Sequence, residues 1–213
     1  MPKPYPPEWR LEDRDEEAVA IMREYPFGHL ITGGETPHAT RIPFLVDVVE
    51  GSPVRLRAHL NAKNPQCDVL TQREVLVVFS GPYSYVSPNW RTNLDRGATY
   101  DYQEVRVRGL VNVEPDRQFF CDLVDDLSRQ IEPAHAEIGD YPVWNTQMTP
   151  EGYIDRLHPH IVALSIDIDT VEMISKLHQT FSAEDRDSVA EHLARSHREE
   201  SRKIASAIRK LEI

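Results

Sequence analysis

Residues Gly81–Gly109 read G-P-Y-S-Y-V-S-P-N-W-R-T-N-L-D-R-G-A-T-Y-D-Y-Q-E-V-R-V-R-G. The stretch opens on an aromatic-polar strand, Tyr83-Ser84-Tyr85-Val86-Ser87. Pro88-Asn89-Trp90 interrupts it, because proline lacks an N–H and fixes φ. A polar loop with Asn93, Asp95 and Gly97 follows, and the chain re-enters a strand at Gln103–Arg108. Tyr83, Tyr85, Trp90, Tyr100 and Tyr102 crowd the two ends of that loop. Such rings offer flat faces to a planar ligand, with O–H and N–H groups to orient it. Rings that merely fill the end of a barrel give the same pattern, and on pattern alone that reading is favoured.

Outward from this stretch the chain alternates in short strands. Glu74–Phe79 is a nearly continuous apolar run and predicts a buried strand feeding into Tyr83. Upstream, His29–Thr32 reaches a Gly33-Gly34 hairpin signal, and Pro37–Val49 returns as a strand. In Val54–His59 the alternation is strict: Val54, Leu56 and Ala58 face the core, while Arg55, Arg57 and His59 face away. Downstream, Pro115 and Asp116 open a helix to Ile131, and a second helix is expected at Glu151–Leu157. Between them Glu132–Gly152, with Pro133, Pro142, Pro150 and Trp144, predicts a loop long enough for a lid or an interface. His160–Thr170 is a last strand, which Val171–Lys176 extends. Ser182-Ala183-Glu184-Asp185 looks like a capping box that starts a helical tail to Ile213. At the other end, Met1–Arg10 is a proline-rich arm, and Asp13 caps a helix that Pro26 ends. The expected organisation is an arm over 1–12, a barrel domain over 13–180 and a tail over 181–213. The expected fold class is an antiparallel β-barrel with flanking helices (α+β).

Composition narrows the function. The 213 residues carry a formal net charge of −11. Phosphate binding needs a basic face, so direct DNA binding is doubtful. The tail from Glu184 to Ile213 is itself balanced between basic and acidic side chains. Cys67 and Cys121 lack metal-type spacing and read as reduced thiols of a cytoplasmic protein. No apolar run reaches membrane-spanning length, and the N-terminus has no signal core.

No nucleophile–base pair stands out, because Ser84 and Ser87 lack a G-x-S-x-G setting. His158-Pro159-His160 has no third ligand at convincing spacing, so no metal is expected. Asp125-Asp126 reads as solvated charge. Lys63-Asn64-Pro65-Gln66 is more informative. Asn64 suits an N-cap and Pro65 the first helical position. A helix start offers free N–H groups to an anion, with Lys63 and His59 adding charge beside it. A cap with no ligand explains the same four residues.

Several segments together closely resemble the PaiB-type family of FMN-binding, split-barrel transcriptional regulators. They are F-G-H-L-I-T (Phe27–Thr32), P-H-A-T-R-I-P-F-L (Pro37–Leu45), A-H-L-N-A-K-N-P-Q (Ala58–Gln66) and F-S-G-P-Y-S-Y-V-S-P-N-W (Phe79–Trp90). Y-D-Y-Q-E-V-R-V-R-G (Tyr100–Gly109) and K-L-H-Q (Lys176–Gln179) follow in the family's order. The resemblance implies a split barrel with FMN at a homodimer interface. By it, Arg41, His59, Lys63 and Asn64 are phosphate candidates, and Thr40, Ser84 and Ser87 supply hydroxyls. Tyr85, Trp90, Tyr102 and Gln103 would lie at the ring. The chain departs from the family's W-N-Y at Tyr100-Asp101-Tyr102 and from its K-L-S-Q-N at Lys176-Leu177-His178-Gln179-Thr180. The glycine-lysine pair that precedes that second segment is also missing at Met173-Ile174-Ser175. Three functions stay open. They are an FMN-binding regulator, an FMN-dependent oxidoreductase of flavin reductase or pyridoxamine oxidase type, and a structural dimer without cofactor.

Overall fold

A computed structural model describes residues 9–11, 14–135 and 139–211. Asp13 and most of the proline-rich arm therefore lie outside the described residues. The chain falls into two compact units. Unit 1 takes Met1–Arg14, Ser80–Val105 and Glu172–Ile213, and unit 2 takes Asp15–Phe79 and Arg106–Val171.

Unit 2 opens with α1 (Asp15–Glu24), which buries Ala18, Val19, Ile21 and Met22 at helical spacing. Pro26 then prevents its continuation. Strands β2 (Phe27–Thr32), β3 (His38–Pro43), β4 (Leu45–Val49) and β5 (Ser52–Asn61) follow. The long strands β6 (Glu74–Val86), β7 (Thr99–Glu114) and β8 (Ile161–Lys176) each run on into unit 1. The sheet order is β3-β2-β6-β7-β8-β5-β4. Gly33-Gly34 does close the β2–β3 hairpin, in antiparallel register from Phe27↔Pro43 to Thr32↔His38. Between α2 (Arg117–Ile131) and β8 lies the short α3 (Tyr153–Leu157). Phe120, Leu123 and Leu127 of α2 cluster with Leu45, Ile154 and Ala163. This covers the second face of β8, so Ala163, Leu164, Ser165 and Ile166 are all buried instead of alternating.

Three expectations change in unit 2. Val54 is 41% exposed, and Pro53 is buried in its place. The β4–β5 register jumps from Asp47↔Arg55 to Val48↔Pro53, so Val54 is the extra residue of a bulge, which reverses parity. Pro37–Val49 is two strands, broken at Phe44, whose N–H bonds Pro26 O at 2.8 Å. Asp125 and Asp126 are not merely solvated. Asp125 accepts from Thr146 N at 2.7 Å, which ties α2 to the segment before α3. Asp126 accepts from Arg57 at 2.9 Å, and the same guanidinium also grips Asp47 at 2.8 Å.

In unit 1, β1 (Arg10–Leu11) pairs antiparallel with β8 at Ile174 and Met173. The tail is not one helix but a hairpin, α4 (Ala183–Ala194) and α5 (Glu199–Arg209). Ser182 caps α4 by accepting from Asp185 N at 3.2 Å. Asp185 does not complete the box. It turns outward to accept from Thr92 N at 2.6 Å and Thr92 Oγ1 at 2.8 Å, pinning α4 to the loop after β6. Those hydrogen bonds to Thr92 hold its carboxyl below the usual carboxylate range. Leu193, Ile204 and Ile208 pack with Val86 and Leu177. Each such side chain contributes about 1.5–3 kcal/mol on burial.

Gly109 marks the closest approach in unit 2. A Cβ there would lie 2.2 Å from Asp167 O and 2.9 Å from Ile166 Cγ2, so β7 meets β8 where no side chain fits. Gly109→Ala is expected to cost about 1–3 kcal/mol or more, since backbone has to move. Urea unfolding of the variant beside wild type reads the loss. An unchanged midpoint would show that the approach is not tight.

Candidate functional site

The aromatic stretch of β6 and β7 lines a cleft of about 470 Å³ in unit 1. Tyr83 and Tyr85 alternate with buried Ser84 and Val86, so both rings project from one face of β6. Tyr100 of β7 meets them, its ring 6.4 Å from Tyr83 and 5.8 Å from Tyr85. All three are about half exposed, at 48%, 47% and 53%. These rings do not fill a barrel end; they form a surface. The opposite wall comes from the helical hairpin, through His192, Arg195, Ser196, Arg198 and Ser201. Ser84 Oγ and Ser201 Oγ share a hydrogen bond of 2.9 Å, which joins β6 to α5 at the base. The Arg198 guanidinium stands 5.9 Å from the Tyr83 ring centre. Trp90 stacks on His192 at 5.5 Å with the ring planes 9° apart. His192 Nδ1 donates to Ser188 O at 2.8 Å.

Six expected ring or hydroxyl residues lie in unit 1, and three of them line the cleft. Ser84, Tyr85 and Trp90 line the cleft. Ser87 instead caps the turn Pro88–Trp90 by accepting from Asn89 N at 3.3 Å. Gln103 Nε2 donates to Ser175 Oγ at 3.1 Å and does not line the cleft, nor does half-buried Tyr102. Sequence reasoning missed Arg195, Arg198 and Ser201. They lie in the tail, where a helical period marks only the apolar face, and nothing local shows which strand the polar face will meet.

The phosphate candidates belong to unit 2. Asn64 is the N-cap foreseen, accepting from Gln66 N at 2.9 Å while its Nδ2 donates to Thr40 Oγ1 at 2.9 Å. The helix it starts is one turn of 3₁₀, Pro65–Val69. Pro65 has no N–H, Gln66 N is held by Asn64 Oδ1, and Cys67 N donates to Asn64 O at 2.9 Å. These amides are committed, so an anion here would be held by side chains. Lys63 is exposed. Arg41 is exposed too, with Nε donating to Phe27 O at 3.0 Å and its guanidinium 4.7 Å over the Phe27 ring. His59 faces α2, not solvent, with its ring edge-on to Phe120 at 5.8 Å. Its Nδ1 is buried without a partner. Burial pushes its pKa down, so at neutral pH it offers no positive charge. Among the described residues no cluster of three metal-ligating side chains exists, and no helix is long and apolar enough to cross a membrane.

The depressed His59 pKa has a sign. The unfolded chain takes up a proton near pH 6.5 that the folded chain refuses, so stability is lost as pH falls below that value. His59→Leu should flatten the thermal stability profile between pH 7 and pH 5 relative to wild type. Parallel profiles would show that His59 titrates normally.

An uncharacterised protein of Aspergillus fumigatus is 26% identical over 235 residues, covering 89% of this chain and 90% of its own. The Bacillus subtilis protein named Protease synthase and sporulation protein PAI 2 is 26% identical over 204 residues, covering 94% of each chain. Among solved structures, the flavocytochrome Anf3 of Azotobacter vinelandii shares the fold with a TM-score of 0.59 at 12% identity, over 78% of this chain and 69% of its own. Residues 5–170 match the family described as "Putative FMN-binding domain", and on that match the chain belongs to this FMN-binding, split-barrel family.

Proposed function

We propose that the protein is an FMN-binding regulator of PaiB type that works as a homodimer. The observation that carries the flavin reading is the unit 1 cleft. Tyr83, Tyr85 and Tyr100 expose ring faces on one side, and Arg195, Arg198, Ser196 and Ser201 stand on the other. A flavin needs a flat apolar face, polar atoms at the ring edge and a cation for its phosphate, and the cleft supplies all three. When bound, the flavin would supply a redox-active ring. The cleft's own residues do the binding. No carboxylate lines it, and His192 is committed to Ser188 and Trp90. The lining therefore holds and orients a ligand but offers no acid–base pair for substrate chemistry. That favours a binding role over the oxidoreductase reading.

The resemblance supports a second set for the phosphate, Arg41, His59, Lys63 and Asn64 with the Thr40 hydroxyl, in which Arg41 and Lys63 supply the charge. FMN and riboflavin titrations by flavin fluorescence, against wild type, Arg198→Ala and Lys63→Ala, test both sets. A charge-assisted hydrogen bond is worth roughly 1.5–3 kcal/mol, so the variant that loses the phosphate contact should bind FMN about tenfold more weakly. Riboflavin, lacking the phosphate, should be indifferent. Loss confined to Arg198→Ala assigns the phosphate to the cleft, and loss confined to Lys63→Ala assigns it to the second set. If wild type binds neither flavin, the reading fails.

The homodimer is supported by the apolar surface each chain exposes, including Tyr85, Tyr100, Tyr141 at 78% and Leu94 at 65%. Light scattering should return twice the 24.5 kDa chain mass well above micromolar concentration. A chain-sized mass would contradict it. Regulation by this chain would act without a tight grip on DNA of its own. In the tail Arg195 is paired with Glu191, and Lys203 with Glu199.

A further inference from the structure

Asp101 and His178 meet in unit 1, and neither lines the cleft above. His178 Nδ1 lies 2.5 Å from Asp101 Oδ2, with both side chains fully shielded from solvent. The contact ties the start of β7 to the turn after β8. There His178 holds a φ of +64°, and Phe181 N donates to His178 O at 3.0 Å. The His178 ring stacks on Phe181 at 4.2 Å. Asp101 and His178 are also two of the positions where the sequence departs from the resembling patterns, and the two departures touch.

The pair is incomplete. Asp101 Oδ1 and His178 Nε2 are buried with no hydrogen-bond partner. Buried polar atoms are normally paired, because an unpaired one has given up water for nothing. Both residues line a cavity of about 320 Å³, together with Arg96, Lys176, Thr99 and Gln179. That volume suits a small molecule. The surroundings are cationic. Arg91 and Arg96 stand 4.8 Å and 4.9 Å from the Phe181 ring centre, and Arg91 Nε and Nη1 are themselves buried and unpaired. Lys176 Nζ donates to Tyr100 O at 2.7 Å and to Thr99 Oγ1. Among the described residues no carboxylate pairs with Arg91, Arg96 or Lys176. Arg96 and Lys176 line the cavity beside one buried carboxylate, with Arg91 behind Phe181, so positive charge stands unmatched here in a chain of net charge −11.

The geometry points to a second binding site here, for a small molecule carrying an oxyanion, either a carboxylate or a phosphate. Lys176 and Arg96 meet the oxyanion, and His178 donates from Nε2–H to one of its oxygens, which takes the imidazolium form of the ring with its other N–H on Asp101. Asp101 accepts from Nδ1–H and so fixes which nitrogen faces the ligand. The site shares no lining residue with the proposed flavin cleft and does not depend on it.

The test is nitrogen-15 NMR of the histidine rings in the full chain, titrated separately with inorganic phosphate and with benzoate. The His178 signal is identified by its absence in His178→Ser. A saturable shift of the His178 Nε2 resonance is expected with one probe, and which probe shifts it tells phosphate from carboxylate. Lys176→Met and Arg96→Gln should each weaken that probe about tenfold, the worth of a charge-assisted bond. Arg96 is exposed, so its variant decides the matter even if Lys176→Met fails to fold. Three outcomes overturn the site: no shift with either probe, a titration unchanged in Arg96→Gln, or displacement of the probe by FMN. The last would make the cavity part of the flavin site.

Discussion

Val86, at the end of β6, is wholly buried by the α4–α5 hairpin, and unit 1 depends on that seating. Helices of 12 and 11 residues are marginal alone in water. These two hold because Val189, Leu193, Ile204 and Ile208 close over Val86 and Leu177. Asp185 adds direction by fixing the first turn of α4 to Thr92. Once the hairpin is seated, its polar face has one place to go. Ser201 reaches Ser84, His192 reaches Trp90, and Arg198 reaches Tyr83. The cleft is a consequence of apolar burial on the other side of the same helices.

Arg57 in unit 2 and Lys176 in unit 1 are satisfied in opposite ways. In unit 2, Arg57 is satisfied by Asp47 and Asp126 together, a bidentate and bridging arrangement that crosslinks β5, β4 and α2. Charge there is spent on structure. In unit 1, Arg91 and Lys176 are directed at backbone carbonyls, a hydroxyl and aromatic rings, with no acid opposite among the described residues. A protein this acidic has carboxylates to spare. Lys176 and Arg96, unmatched beside a cavity, are the cations on which the proposed oxyanion site rests, whereas Arg57 serves the fold.

Much was legible locally. The hairpin at Gly33-Gly34, the Asn64 cap, the break at Pro88 and the helix from Asp116 all rest on chemistry within a few residues. Each appears where its turn or cap residue stands. What went unread involved partners far along the chain. Val54 is turned outward by a bulge whose cause is its pairing with β4. Asp125 looks solvated until Thr146, brought back by the proline-rich segment, donates to it. His59 looks like an outward strand residue until Phe120 covers that face. In each case alternation marks two faces but not what lies against the second.

The sequence by itself determined the fold class, the family and the aromatic stretch around which the cleft forms. Those follow from periodicity, turn residues and ordered motifs, all written along the chain. Only the tertiary structure decided that Tyr83, Tyr85 and Tyr100 form an exposed surface, that the tail supplies its second wall, and that Asp101 meets His178 across a separation of 77 residues. Side-chain convergence depends on how strands and helices stack in three dimensions, and a buried polar pair leaves no periodic trace in sequence.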